Sequence, residues 1–123
     1  MRAVLPSKRD DGLRRWPRGQ KFALSAAGGE AEVAYREAVT AARASGRTAL
    51  EAALAAWAAP RLVAPGDGVV LSELSGKRLG LPHLVEALET SGIDRNEVRA
   101  ALDRLVTSGL VEAVPLASQL AQA

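Results

Sequence analysis

The sequence predicts a mainly α-helical protein, a helical hairpin followed by a compact set of three shorter helices. Three features carry that expectation. Apolar residues recur at three- and four-residue spacing over several segments. Thr48 with Glu51, and Asp94 with Glu97, have the spacing of capping boxes, in which each residue's side chain satisfies the other's backbone N–H. Gly46, Pro60, Gly76, Pro82 and Gly109 fall where helices should stop or start.

Residues 1–29 read as a basic arm. Pro6, Gly12, Pro17, Gly19 and the pair Gly28-Gly29 interrupt any long periodic pattern. Trp16, Phe22 and Leu24 are its only bulky anchors. Both a solvated tail and a partner-binding arm fit this composition. Trp16 stacks on a base, inserts against a partner surface, or folds back to cover the Ala-rich hairpin.

Residues 30–63 read as the hairpin. Ala31, Ala34, Tyr35, Ala38, Ala41 and Ala42 share one face, Glu30 and Glu32 complement the dipole of the first turn, and Gly46 closes the helix. A second helix is expected from the Thr48 cap, with Leu50, Ala53, Leu54 and Trp57 as its stripe and Pro60 as its stop. The hairpin either packs on the domain behind it or offers a dimerisation surface.

Residues 64–115 form the next unit. Asp67 is expected to cap a short helix bearing Val70, Leu71 and Leu74. Lys77 to Leu81 is an extended connector. Pro82 starts a helix with Leu84, Val85 and Leu88 inward, and Ser91-Gly92-Ile93 turns the chain. The helix begun by Asp94 buries Val98, Leu102, Leu105 and Val106. Leu110 to Val114 is strand-like, and residues 116–123 are a tail.

The net charge of +2 conceals an asymmetry. Residues 1–21 hold seven basic side chains (Arg2, Lys8, Arg9, Arg14, Arg15, Arg18, Lys21) against Asp10 and Asp11, a net of +5. The remaining nine basic and twelve acidic side chains leave residues 22–123 at −3. Only four residues are Phe, Trp or Tyr, so the core must rest on close helix packing. Cysteine is absent, which removes disulfides and thiolate chemistry. Met1 to Arg15 lacks the apolar segment of a signal peptide, and Ala52 to Pro60 is too short to span a bilayer. A cytoplasmic protein is expected.

The text "VVLSELSGKRLGLPHLVEALETSGIDRNEVRAALDRLVTSGLVEAV" resembles the winged helix-turn-helix superfamily of bacterial transcription regulators. Its most specific part is "DRNEVRAALDRLVTSGLVEA". The resemblance implies a first helix, a connector, a second helix, a turn, a recognition helix and one wing strand. It departs from the family in a longer turn, "ETSGI", and in "LASQLAQA", which looks helical where a second wing strand belongs.

By that resemblance the partner is duplex DNA, read by Arg95, Asn96, Arg99 and Arg104 of the recognition helix. Lys77 and Arg78 in the connector, and Lys8, Arg9, Arg14, Arg15, Arg18 and Lys21 in the arm, are expected to meet phosphates. The chain is then a transcriptional regulator or a DNA-associated factor. The alternative is a protein–protein module, a scaffold or a homodimer, because residues 66–115 carry five basic and eight acidic side chains. No enzyme activity, metal or cofactor is expected. His83 lacks a companion ligand, no carboxylate pair stands out, and "APGDGVV" lacks the Lys-Ser/Thr of a phosphate loop.

Overall fold

The computed structural model describes residues 16–114. It is 66 % helix, with a small three-stranded antiparallel sheet. Elements follow in the order β1 (Lys21–Leu24), α1 (Ala26–Arg43), α2 (Arg47–Ala58), 3-10 turns at Ala59–Arg61 and Pro65–Asp67, α3 (Gly68–Leu74), β2 (Leu79–Gly80), α4 (Leu81–Glu89), α5 (Arg95–Thr107) and β3 (Val111–Val114). Arg2, Lys8, Arg9, Arg14 and Arg15 of the arm, and the tail 116–123, lie outside the described residues.

The largest departure from expectation is at residues 16–29. Strand β1 is the middle strand of the sheet, in the order β2-β1-β3. Lys21 and Phe22 pair with Gly80 and Leu79, and Lys21 to Leu24 pair with Val114 to Val111. Alternation along the strand turns Phe22 and Leu24 inward and Lys21 and Ala23 outward. Phe22 is fully buried. Trp16 is half-buried against the core and meets Phe22 edge-on at 5.0 Å. Buried Gln20 donates from its side-chain amide to the carbonyls of Lys21 and Val114, which clips β1 to the end of β3. Strand β3 therefore finds its partner upstream of α1.

Helix α1 begins at Ala26, four residues before the expected start. Ser25 is its N-cap and accepts the Gly28 N–H at 3.0 Å. The Ser25 hydroxyl also donates to the Gly109 carbonyl at 2.6 Å, and its N–H donates to that of Leu110 at 3.0 Å. One residue thus caps α1 and ties it to the α5–β3 turn. The approach is so close that a Cβ on Gly28 would lie 1.8 Å from the Leu110 carbonyl oxygen. Because the helix starts early, Glu32 is not a first-turn carboxylate. It is buried, accepts from Arg36 Nε at 2.7 Å and from the Ser72 hydroxyl at 3.3 Å, and so joins α1 to α3.

Helix α2 also starts differently. Gly46, at φ +98°, is the N-cap and no side chain caps the helix, so the expected Thr48–Glu51 box does not form. The Leu50 N–H already donates to the Gly46 carbonyl at 3.0 Å, which places Thr48 inside the first turn. Trp57 holds the hairpin together. Its indole N–H donates to the Ala31 carbonyl at 2.9 Å, and its ring meets Tyr35 edge-on at 5.2 Å. Tyr35 in turn lies against Gly68, where a Cβ would sit 2.1 Å from its ring. Burial raises the Tyr35 phenol pKa, against a smaller opposing effect from Arg43.

Helices α3, α4 and α5 follow the sequence reading more closely. Val70, Leu71, Leu74, Leu84, Leu88, Val98, Leu102 and Leu105 are buried, joined by Trp57, Ala31 and Phe22 in a single core. Among the described residues, no helix is long and apolar enough to cross a membrane.

Three substitutions test this packing by urea denaturation. Leu102→Ala should lower stability by about 2–5 kcal/mol, through lost transfer energy and a residual cavity. Gly28 and Gly29 are adjacent in α1 but meet different surroundings, since a Cβ on Gly29 has nothing within 4 Å. Gly29→Ala should stabilise by about 0.5–1 kcal/mol through helix propensity. Gly28→Ala should destabilise by about 1–3 kcal/mol through overpacking against backbone. Equal effects at the two glycines would contradict the close approach of α1 to Leu110.

Candidate functional site

The start of α5 is fixed by the Asp94–Glu97 capping box. Asp94 accepts the Glu97 N–H at 2.9 Å, and Glu97 accepts the Asp94 N–H at 3.0 Å. Val98, Ala101, Leu102 and Leu105 then define the buried face. At about 100° per residue the opposite side is centred on Asn96, Ala100, Asp103 and Thr107. Arg99 sits on one shoulder of that side, half-buried, while Arg95 and Asn96 at the tip are exposed.

Arg104 lies on the other shoulder and is committed elsewhere. Its Nε and Nη2 each donate to Asp67 at 2.8 Å, a bidentate pair. The Asp67 side chain is only 3 % exposed, and its Oδ2 also accepts the Ala64 N–H at 2.9 Å. Hydrogen bonding to Asp67 is the main reason the Arg104 pKa is raised. Arg104 is therefore tied to the fold through Asp67, while its side chain remains 42 % exposed. Asp67 makes no side-chain cap for α3, contrary to expectation. It braces the Pro65–Asp67 turn and holds α5 against it. No local signal marks this role, since the partners are 37 residues apart.

A cleft of about 280 Å³ lies beside this pair, with Val70, Ile93 and Ala101 in its wall and Glu97 at its margin. Its charged groups are already used, Asp67 and Arg104 by each other and Glu97 by the cap.

The connector residues Lys77 and Arg78 are exposed in the turn between α3 and β2. Lys77 approaches Glu73 at 3.5 Å. Arg18 and Lys21 are not on a free arm. Arg18 occupies the turn before β1, closed by the Gln20 N–H donating to the Pro17 carbonyl at 3.0 Å, and Lys21 is the first residue of the central strand. Residues 16–114 carry eleven Lys or Arg and twelve Asp or Glu, a net of −1. His83 is exposed in the first turn of α4. Among the described residues, no group of three or more His, Asp or Glu could hold a metal ion. Comparison with family models, curated proteins and solved structures gives no match for this chain.

The Asp67–Arg104 pair has a measurable signature. Arg104→Ala leaves a buried carboxylate still accepting from the Ala64 N–H but without its cation, and should cost about 2–3 kcal/mol. Adding Asp67→Ala removes the stranded charge, so the double variant should be destabilised by less than the sum of the two single effects. Strict additivity in thermal melts would show that the pair is not coupled.

Proposed function

We propose that the chain is a DNA-binding protein of winged-helix type, a transcriptional regulator or DNA-associated factor acting in the cytoplasm without catalysis. The reading rests on one observation above all. Arg95 and Asn96 stand exposed at the tip of α5, with Arg99 beside them, on a helix whose start is fixed by a capping box and whose back is anchored in the core. Helix N-terminal side chains of this kind suit base edges in the major groove, where Arg pairs with guanine and Asn with adenine. A rigid tip also loses little freedom on binding.

A protein–protein role is the second reading, and specific observations favour it. Arg104 is engaged in the Asp67 pair, and residues 16–114 are net negative. Homodimerisation belongs to the same reading.

Binding of the full chain to duplex DNA separates the two. Arg95→Ala and Arg99→Ala should each weaken binding and relax sequence preference by about 1–3 kcal/mol, with melting temperatures unchanged. Parent-like affinity in both variants would remove α5 as the reading element, and a stable protein partner or self-association would then be the expected finding.

A further inference from the structure

We propose that the corner where β1 meets the α3–β2 turn is a second surface for duplex DNA, one that takes backbone phosphates irrespective of sequence. The identity of the partner rests on the DNA reading of α5; the surface itself rests on different residues.

Lys21 and Ala23 face outward from the sheet, because Phe22 and Leu24 alternate with them toward the core. Ala23 and Leu24 form one wall of an open cleft of about 570 Å³, and Leu74, Gly76, Lys77 and Arg78 form the other. Gly76, at φ +73°, turns the chain so that Lys77 and Arg78 follow one another in exposed positions. Two segments far apart in sequence thereby contribute cations to one corner. Arg18 is exposed in the turn leading into the strand. The nearby carboxylates are Glu73, beside Lys77, and Glu112, across from Ala23 in the register. Lys21, Lys77 and Arg78 against Glu73 and Glu112 leave this corner positive, although residues 16–114 as a whole are net negative.

The chemistry of the corner suits phosphates. Ala23 and Gly76 keep the space between the cations shallow, and a large exposed apolar anchor of the kind that centres protein interfaces is not among its lining residues. Lys and Arg on such a surface meet successive backbone oxygens without reading bases. Their backbone is held by a paired strand and a tight turn, so ordering it on binding costs little.

The test uses the full chain, a labelled random-sequence duplex and anisotropy titrations over a range of salt concentrations. Lys21→Gln, Lys77→Gln and Arg78→Gln are combined in one variant, with circular dichroism melting to confirm the fold. The log–log slope of affinity against salt should flatten by about 0.9 for each phosphate that is no longer neutralised, with preference among duplex sequences unchanged. A parent-like slope in the triple variant would overturn the proposal. So would loss of binding to phosphatidylserine vesicles with DNA binding intact, which would make the corner a membrane-surface patch. Arg95→Ala/Arg99→Ala separates the two surfaces. If that variant binds like the parent while the triple variant flattens the slope, the corner stands and the α5 reading falls; the reverse pattern retains α5 and rejects the corner. A parent chain that binds no duplex at any salt would reject both.

Discussion

The insertion of β1 between β2 and β3 is the constraint on which the rest of the structure depends. Strand β2 has two residues and β3 has four, and strands so short have little independent stability. Each gains its pairing from β1. The same four residues deliver Phe22 to the centre of a core that also holds α3, α4 and α5. Ser25 and Gly28 then carry the constraint into α1, because both meet the Gly109–Leu110 backbone that leads into β3. A segment at the edge of the sequence is therefore structurally central. Withdrawing it would expose a large ring, unpair two strands and uncap the longest helix together.

That arrangement redistributes the basic residues. Arg18 and Lys21 become fixed features of the sheet end of the molecule, whereas Arg104 is drawn into the interface between α5 and the Pro65–Asp67 turn. A bidentate pair with a buried carboxylate holds α5 firmly but withdraws one cation from partner binding. The trade favours position over charge. Helix α5 keeps a well-defined tip, with Arg95 and Arg99 balanced by Asp94 and Glu97 in its first turns.

Much of the second half of the fold was legible because its signals are local. The Asp94–Glu97 box, Pro82 in the first turn of α4, and the glycines after α3 and α5 each act within a few residues, and the structure places them as read. The parts that were not legible depend on pairing and packing across the chain. Lys21–Leu24 is too short to show a period, and its strand character comes from partners nearly 60 and 90 residues away. Gly28-Gly29 looks like a helix breaker, yet Gly28 is inside α1 because nothing larger fits against Leu110. Thr48 has the spacing of a cap, but Gly46 with its positive φ enters the helix first and leaves Thr48 inside. At the candidate site, the resemblance pointed to Arg95, Asn96 and Arg99, and the Asp94–Glu97 box made the exposed position of Arg95 and Asn96 at the start of α5 legible. The pairing of Arg104 was not legible, since it depends on a carboxylate 37 residues away.

The aromatic residues narrow what kind of nucleic acid the proposed surfaces can serve. The chain has four, and packing uses all of them: Trp16 against Phe22 at the sheet, and Tyr35 against Trp57 in the hairpin. Phe22 and Trp57 are buried, Trp57 is further covered by the Arg61 guanidinium 5.3 Å from its ring centre, and Trp16 and Tyr35 are part of the packed core margin. Sequence-tolerant binding of single strands relies on aromatic faces on which successive bases stack. Here the rings are occupied in holding helices and strands together, in a core otherwise made mostly of leucine and valine. At the two proposed surfaces the exposed groups are Arg, Lys and Asn side chains. Those groups suit a duplex, whose bases are already stacked and whose grooves and phosphates present hydrogen-bonding edges and charge.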